Sequence, residues 1–554
     1  MRVADLVLDI LTAHGVRQVY GVPGDAINDF TFALQNRDDM EFVMVRHEEA
    51  GAFMASAQAK LTGRMTACMG TSGPGAIHLL NGLYDAKMDH APVIAITGQA
   101  ATRFVGTEYH QEVALERLFS DVAEYTRTIM TPDQLPEVML EACRAALAGP
   151  GVGHIAVPTD ISGRSVFNSR TTYDMQASNA SSLPCPEAME AAVKVIEGSS
   201  KVAILAGIGC ASAREELLAL SDHLGAPIIR SLRSKDVIDE DFEACIGGLG
   251  LLGSAPGSAA MAQCDCLIMA GTDFPYVDFF PDDAKIIQIE SAPARMGRRA
   301  AVDAPLPGHC KPTLKALLTG TEAKSSRKFY DHMQAEKASW NRDQDKRRAS
   351  DAKPIAPERV MSEINRSAPD NTVYTIDTGT STAWAARHLI VGPDQRFTLS
   401  GALASMAFAP SGAIGAKFAY PDRPVCAISG DGGFAMLMAD FVTAVRYDKP
   451  VVNVVLNNGK LGFIAMEQEA KGLPEHSVAL DNPDFVAFAR ACGGHGIRVE
   501  DPADLADALK DAFAHPKASV VEVMVDPQAL IMPPKISAEQ AVKFGIAKAR
   551  EFLG

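Results

Sequence analysis

The sequence is short of cysteine and lacks a leader-like hydrophobic run, and both absences limit what the protein can be. Only 10 of its 554 residues are Cys, and Cys264 and Cys266 form the only close pair. Cysteines scattered in this way indicate reduced, mostly buried side chains in a cytoplasmic protein. The first ten residues carry Asp5 and Asp9 and lack the apolar core of a signal peptide.

One stretch, residues 401–417, is poor in charge but does not resemble a membrane span. It contains Gly401, Pro410, Gly412 and Gly415, which break up any long apolar helix. We therefore expect a buried loop and helix here, and no stable membrane anchor.

Acidic residues outnumber basic residues, which excludes nucleic acid as a partner. Lys and Arg number 52 and Asp and Glu 68, so the formal charge is −16. An acidic surface repels nucleic acid. A phosphate-bearing cofactor is still possible, because helix termini and a metal ion bind phosphate locally.

The length indicates about three or four domains. Two stretches look like linkers, residues 162–186, rich in Ser, Thr and Asn, and residues 320–357, rich in charge and able to form a surface helix. Apolar strand-like runs alternate with helical patterns in each remaining block. We predict an α/β protein of three doubly wound, mostly parallel-sheet domains, at residues 1–170, 187–320 and 355–530, with a tail helix at 531–554.

The most informative motif is Gly430-Asp431-Gly432-Gly433, with 24 residues between Gly432 and the pair Asn457-Asn458. Apolar runs predict strands before the motif and before the Asn pair, with a helix beginning near Phe434 between them. This order would bring Asp431 and Asn458 together at the carboxyl edge of one sheet, where they could hold a divalent cation beside a phosphate. For the glycines alone, an ordinary strand-to-helix turn is the alternative.

The first block repeats this pattern. Thr71-Ser72-Gly73-Pro74-Gly75 opens a helix near Ala76, and a Pro-Val pair follows 16 residues after Ala76, as another does after Phe434. Strand, turn, helix and strand units often share such lengths, so common ancestry and coincidence both fit.

Glu48 lies at a predicted strand-to-helix junction of the first block, after Arg46-His47. Val43, Val45, Ala50 and Phe53 would give it a partly apolar setting. Functional residues of open α/β sheets lie at such junctions. A carboxylate that caps the helix start is the alternative, and it is our interpretation of Glu49.

Together these motifs resemble the thiamine diphosphate-dependent enzymes, whose cofactor motif begins with GDG and ends with NN. The resemblance implies that Asp431, Asn458 and the main-chain carbonyl of Lys460 bind Mg²⁺, which grips the diphosphate. Arg-His-Glu with Gly73-Pro74-Gly75 is similar to the pyrimidine-binding domain of that family. There the glutamate, here Glu48, hydrogen-bonds the pyrimidine nitrogen N1′.

Further cofactor contacts follow from the same resemblance. Met406 matches the large apolar residue that wedges beneath the cofactor, although ordinary core filling is the alternative. The other implied contacts are Gly24, Thr71, Asn81, Gly432, Gly433, Leu461 and Gly462. In this family the glutamate and the GDG motif at one cofactor come from different subunits, which implies a homodimer or homotetramer.

Within the family the chain is most similar to pyruvate oxidase and quinone-linked pyruvate dehydrogenase, with acetolactate synthase next. The segment Leu461–Glu467 resembles the one that covers the thiazolium ring. Gln111, Phe463 and Glu467 are therefore candidate catalytic residues that line the pocket and move protons. A solvated helix carboxylate is the alternative for Glu467.

The middle block resembles the FAD-binding domain of the flavoprotein members. The stretches that surround FAD there correspond to segments containing Gly207, Gly250, Thr272 and Glu290. Related decarboxylases keep this domain without binding flavin, so FAD is an expectation that rests on the branch assigned above.

Three features depart from the family pattern. His110 stands where close relatives usually carry Phe, and it could bind a carboxylate, relay a proton or simply pack in a surface loop. Gly308-His309 replaces a usual Gly-Asp near the flavin region. The lipid-docking tail of the quinone-linked enzyme is not matched, because residues Ala538 to Phe552 form only one amphipathic pattern.

The resemblance implies thiamine diphosphate- and Mg²⁺-dependent decarboxylation of a 2-oxo acid, with pyruvate first, and oxidation of the resulting enamine through FAD. Acetolactate synthase-type joining of two 2-oxo acids is the alternative. A non-enzymatic scaffold or regulatory role is the third hypothesis, and the presence of Glu48, Asp431 and Asn458 argues against it.

Overall fold

The computed structural model describes residues 1–167, 181–529 and 531. Within these residues the chain forms three six-stranded sheets, and every pairing inside them is parallel. The predicted α/β class with three doubly wound sheets is confirmed. The domain boundaries stay a prediction, and the predicted tail helix lies outside the described residues.

The first sheet has the strand order β2-β1-β3-β4-β6-β5. Its strands are β1 Gln18–Gly21, β2 Glu41–Met44, β3 Thr66–Gly70, β4 Val93–Gln99, β5 Tyr125–Thr128 and β6 Val152–Pro158. The helices around it are α1 Val3–Ala13, α2 Asn28–Gln35, α3 Glu48–Thr62, α4 Pro74–His78, α5 Leu80–Met88, α6 Leu115–Phe119, α7 Leu135–Ala148 and α8 Thr159–Ser162.

The middle sheet has the strand order β12-β11-β10-β7-β8-β9. Its strands are β7 Val202–Ala206, β8 Ile228–Arg230, β9 Cys245–Gly248, β10 Cys266–Ala270, β11 Lys285–Glu290 and β12 Ala304–Pro307. Its helices are α9 Pro186–Glu197, α10 Arg214–Leu224, α11 Ala255–Gln263, α12 Cys310–Gly320 and α13 Lys328–Arg348. The last of these is the helix expected in the charged linker.

The third sheet repeats the order of the first, as β14-β13-β15-β16-β18-β17. Its strands are β13 Val373–Ile376, β14 Arg396–Leu399, β15 Val425–Gly430, β16 Val452–Asn457, β17 His495–Val499 and β18 Ser519–Met524. Its helices are α14 Pro357–Ser367, α15 Thr380–His388, α16 Phe408–Ala419, α17 Asp431–Leu437, α18 Phe441–Arg446, α19 Gly462–Ala470, α20 Phe485–Ala491 and α21 Leu505–Ala514. The two units that echo each other in the sequence therefore occupy equivalent places in one topology.

Helices α3 and α16 join the first and third domains through one apolar core. Their backbones approach closely, because a Cβ on Gly415 would lie 2.2 Å from the carbonyl oxygen of Met54. Phe53 and Phe408 meet edge to face at 5.8 Å between ring centres, and both are fully buried. Each buried ring of this kind contributes about 1.5–3 kcal/mol.

Two sequence expectations near the GDG motif need correction. The helix predicted to begin near Phe434 begins at Asp431, because Gly432 and Gly433 form its first turn. It is also interrupted by a 3₁₀ turn, Met438–Asp440, before α18. In that interruption Asp440 accepts a hydrogen bond from the main chain of Arg46, which ties the third domain to the first.

The structure describes all ten cysteines and the whole of the charge-poor stretch 401–417. All ten cysteines are free thiols, and only Cys185 is exposed. Residues 408–419 form the expected buried helix. Among the described helices, none is long and apolar enough to cross a membrane.

Candidate active site

The glycine turn lies at the point where the strand order of the third sheet changes direction, between β13 and β15. Such switch points form the ligand crevice of open α/β sheets. A Cβ on Gly433 would lie 2.0 Å from Asp377 Oδ2, and one on Gly432 would lie 3.1 Å from side-chain carbons of Leu461 and Leu480. The turn therefore leaves its main chain bare toward the crevice.

Asp431 is buried at the start of α17. Its Oδ2 accepts hydrogen bonds from the main-chain N–H of Gly459 at 2.9 Å and from the amide of Asn482 at 2.7 Å. Burial raises the pKa of Asp431, while hydrogen bonds from Asn482 and main-chain groups oppose that shift. Because two donors already occupy Oδ2, a cation would approach this carboxylate through Oδ1.

Asn458 and Lys460 follow β16 and form the loop beside Asp431. The Oδ1 atom of Asn458 accepts from the main-chain N–H of Lys460 at 3.3 Å, and the carbonyl of Lys460 accepts from Gly462 at 2.9 Å. Gly462 packs on this loop, since a Cβ there would lie 2.8 Å from the Asn458 amide nitrogen. Each oxygen keeps a second lone pair, so the loop offers the hard oxygen ligands that Mg²⁺ prefers.

Met406 reaches the same turn from the loop before α16. Its Cε atom lies 3.5 Å from the place where a Gly432 Cβ would stand, and Leu461 contacts the same place. Ala404 and Ala407 bracket Met406 with φ values of 57° and 69°, in the left-handed region that non-glycine residues rarely adopt. The third domain therefore brings its predicted cofactor residues together: Met406, Asp431, Gly432, Gly433, Asn458, Lys460, Leu461 and Gly462.

Glu48 begins α3 and is buried, with 7% of its surface exposed. Its Oε1 would lie 3.0 Å from a Cβ on Gly75, so the glycine of the first-block turn allows the approach. Its Oε2 lies 3.0 Å from Nδ1 of His78, whose ring stacks on His47 at 4.4 Å.

The other predicted residues of the first domain lie around the carboxyl ends of its strands. Gly24 packs on Thr71, because a Cβ on Gly24 would lie 2.4 Å from the Cβ of Thr71. Gln111 accepts a hydrogen bond from Ser72 at 3.3 Å. Asn81 donates to Glu49 at 2.6 Å and to Ser405 of the third domain at 3.0 Å, next to Met406.

The predicted flavin residues of the middle domain lie at three places, at or just beyond the ends of its strands. Gly207 and Thr272 meet at the switch point between β7 and β10, where a Gly207 Cβ would lie 2.1 Å from the carbonyl oxygen of Gly271. Glu290 ends β11 and accepts a hydrogen bond from the main chain of Ala292 at 2.9 Å. Gly250 has a φ of 94°.

The remaining predicted residues show no such clustering. Phe463 is half-buried against the core of the third domain, and Glu467 on the same helix is exposed. His110 is exposed beside Gln111. His309 accepts a hydrogen bond from the main chain of Ser182 at 2.9 Å, so it fastens the segment that enters the middle domain.

Three residues at the site escaped the sequence analysis: His78, Asp377 and Asn482. His78 and Asn482 reach their partners Glu48 and Asp431 across 30 and 51 residues, and no motif marks such contacts. Asp377 follows β13 directly, as functional residues follow strands in open sheets. The position of Asp377 directly after a strand could therefore have marked it as a candidate site residue.

Family models for thiamine pyrophosphate enzymes match the chain in all three domains; thiamine pyrophosphate is another name for thiamine diphosphate. The N-terminal TPP binding domain matches residues 1–118, the central domain residues 189–317, and the C-terminal TPP binding domain residues 377–523. Each match lies on a different one of the three sheets and covers all or most of its strands.

Full-length relatives agree with this result. The chain is 38% identical to the putative thiamine pyrophosphate-containing protein YdaP of Bacillus subtilis, over 98% of this chain and 95% of the relative. It is 32% identical to pyruvate oxidase of Lactiplantibacillus plantarum, over 92% and 85%, and 32% identical to a probable acetolactate synthase large subunit of Methanocaldococcus jannaschii, over 96% and 94%. The chain therefore belongs to the thiamine pyrophosphate enzyme family.

Proposed function

We propose that the protein is a Mg²⁺- and thiamine diphosphate-dependent enzyme that decarboxylates a 2-oxo acid, pyruvate first, and oxidises the product through FAD. The observation that carries the proposal is the set of oxygen atoms on Asp431, Asn458 and Lys460 around a turn in which Gly433 has no room for a side chain. Such hard ligands beside a phosphate site suit Mg²⁺. The pyruvate oxidase relative supports the choice of reaction.

Each residue of the third domain would have a distinct task. The Asp431 carboxylate, the Asn458 side-chain oxygen and the Lys460 carbonyl would hold the cation. The main chain at Gly432 and Gly433 would approach the diphosphate. When bound, thiamine diphosphate supplies a carbon nucleophile that adds to the keto carbon and takes up the electron pair released with CO₂.

Glu48 would hold a proton at the pyrimidine nitrogen N1′. Its hydrogen-bond partner is His78, whose Nδ1 lies 3.0 Å from Oε2 of Glu48. We propose that this contact positions the Glu48 carboxylate.

The pocket for the 2-oxo acid would be lined by Gln111, Phe463 and Glu467. Gln111 accepts from Ser72 through its oxygen, which leaves its amide hydrogens to donate to a substrate carboxylate. His110 beside it offers a second carboxylate-binding group.

We further propose that each active site combines Glu48 of the partner subunit with Asp431, in a homodimer or homotetramer. Exposed apolar side chains lie next to both motifs: Ile77 close to Gly75 and His78, and Met436 in α17, with 46% and 57% of their surfaces exposed. Apolar surface at these places favours contact with another protomer.

FAD would occupy the middle domain. Counted along its own chain, this sheet has the order 3-2-1-4-5-6 of dinucleotide-binding folds. Gly207, Gly271 and Thr272 crowd its switch point, where the main chain can approach a pyrophosphate. Glu290 and Gly250 would complete the flavin site.

Acetolactate synthesis is the second candidate, because the M. jannaschii relative has the same 32% identity as the pyruvate oxidase. A yellow protein fits both hypotheses. Bleaching of the flavin absorbance by pyruvate without oxygen favours the oxidase. Formation of acetolactate while the colour persists favours the synthase.

The test of the proposed function is turnover of pyruvate with thiamine diphosphate and Mg²⁺, compared with a Glu48→Gln variant. This variant keeps the shape of the side chain but removes its acid, so we expect cofactor binding to persist and kcat to fall by about 10²–10⁴. Equal kcat in the two proteins would remove Glu48 from the mechanism.

A further inference from the structure

The segment 478–482 lies directly against the loop that carries the proposed metal ligands. Main-chain hydrogen bonds join Leu461 N–H to the Val478 carbonyl and Leu480 N–H to the Gly459 carbonyl, each at 2.8 Å. Lys460 and Ala479 form an antiparallel bridge between these bonds. The metal loop is therefore one strand of a short two-stranded ribbon.

Asn482 ends this segment and reaches Asp431. Its Nδ2 lies 2.7 Å from Asp431 Oδ2 and 3.3 Å from Asn457 Oδ1. The amide has two N–H donors, and it faces two acceptors. The opposite orientation of the amide would place oxygen against both acceptors, so these contacts fix how the side chain points.

The contact with Asn482 also fixes the carboxylate. With Gly459 N–H and Asn482 both donating to Oδ2, the hydrogen-bonding capacity of that oxygen is used, which leaves a cation to approach the carboxylate through Oδ1. Outer partners that orient a metal-binding side chain typically change metal affinity by 10–100-fold when they are lost.

We propose that Asn482 is a positioning residue for the metal site: it holds Asp431 so that Oδ1 faces the cation. The inference rests on the proposed function, because it takes Asp431 to be a Mg²⁺ ligand. In this role Asn482 would act through Asp431 and would not itself bind the cation.

The test is a Mg²⁺ titration of the full-length protein with thiamine diphosphate, followed by tryptophan fluorescence. The chain has two tryptophans, and Trp384 lines the cavity behind the metal loop together with Asn458 and Lys460. For Asn482→Ala we expect the half-saturating Mg²⁺ concentration to rise 10–100-fold. At saturating Mg²⁺ we expect kcat within about threefold of the unmodified protein, since the cation then orders Asp431.

Ala479→Ser is the matched control, because residue 479 is exposed in the same segment and contacts Asp431 through no side-chain atom. It should titrate like the unmodified protein. If Asn482→Ala does not fold, Asn482→Ser, too short to reach both acceptors, should show the same shift.

This experiment distinguishes a failure of the proposed function from a failure of the proposed role of Asn482. An unmodified protein that shows no Mg²⁺-dependent binding of thiamine diphosphate would overturn the proposed function. Normal binding by the unmodified protein, with the same half-saturating concentration in Asn482→Ala, would overturn the role of Asn482. A loss of kcat that excess Mg²⁺ does not restore would also contradict it.

Discussion

Gly430 and Gly433, two glycines of the same turn, differ in the space that a side chain would have. Gly433 faces Asp377, whose carboxylate is buried and whose pKa is raised to about 7 by that burial. Gly430, three residues earlier, has open space around it and an ordinary φ of −74°. The same substitution should therefore have opposite outcomes at the two positions.

Gly433→Ala would push a methyl group to 2.0 Å from Asp377 Oδ2, which forces the turn or the carboxylate to move. Overpacking of this kind costs about 1–3 kcal/mol. We expect a lower Tm and cofactor affinity reduced at least tenfold, as measured by thermal shift and by titration with thiamine diphosphate.

Gly430→Ala is the control and should keep both Tm and affinity, or raise Tm slightly, because alanine restricts the unfolded chain. Equal effects of the two variants would show that the space around Gly433 is not what constrains the turn.

Between elements, a buried ion cluster holds the domains together close to the Met406 loop. Lys60 on α3 contacts Asp85 at 2.6 Å, Asp89 at 2.7 Å and the carbonyl of Leu399 at 2.9 Å. Asp89 also pairs with Arg233 of the middle domain and accepts hydrogen bonds from the main chain of the third domain at Gly401. One carboxylate therefore joins all three domains.

Lys60→Met would leave two buried carboxylates without this cation, which typically costs about 3–5 kcal/mol. We expect a clear fall in Tm. The control is Lys346→Met, which removes an exposed pair with Asp343 worth about 0–1 kcal/mol. Equal Tm values for the two variants would show that the ion cluster does not hold the domains together.

The elements also show what the sequence could and could not predict. Strands such as β7 and β15 were predictable because apolar runs between polar turns mark buried parallel strands. The start of α17 was predicted wrongly because glycines usually mark a turn, whereas here Gly432 and Gly433 belong to the first turn of the helix.

The site was predictable where a motif carries it and unpredictable elsewhere. Asp431, Asn458 and Lys460 lie in or just after motifs with fixed spacing, and the structure brings them together. Asn482 and His78 reach Asp431 and Glu48 from distant segments of the chain, and no local pattern encodes such contacts.

For the whole molecule, buried histidines should control acid stability. His154 is fully buried between Thr97 and Thr126, and burial lowers its pKa to about 3. Burial likewise lowers the pKa of His388 to about 3 and that of His90 to about 4. The unfolded chain, with histidine pKa values near 6.5, binds more protons than the folded chain in this range.

The contribution of these histidines to stability should therefore be complete above pH 6.5 and fall as the pH drops from 6.5 toward 3. His154→Gln should be less stable at neutral pH, yet lose less Tm between pH 7 and pH 5 than the unmodified protein. His110→Gln, at an exposed position, is the control. Parallel curves for His154→Gln and the unmodified protein would contradict this account.

The proposed active site depends on the position of Glu48 relative to the proposed metal ligands Asp431, Asn458 and Lys460. A crystal structure of the protein with thiamine diphosphate and Mg²⁺ measures this directly. We predict Mg²⁺ at about 2.0–2.1 Å from oxygens of Asp431, Asn458 and Lys460, with Glu48 of the partner subunit at the pyrimidine ring. A cofactor bound elsewhere, or a cation that does not touch Asp431, would contradict the account.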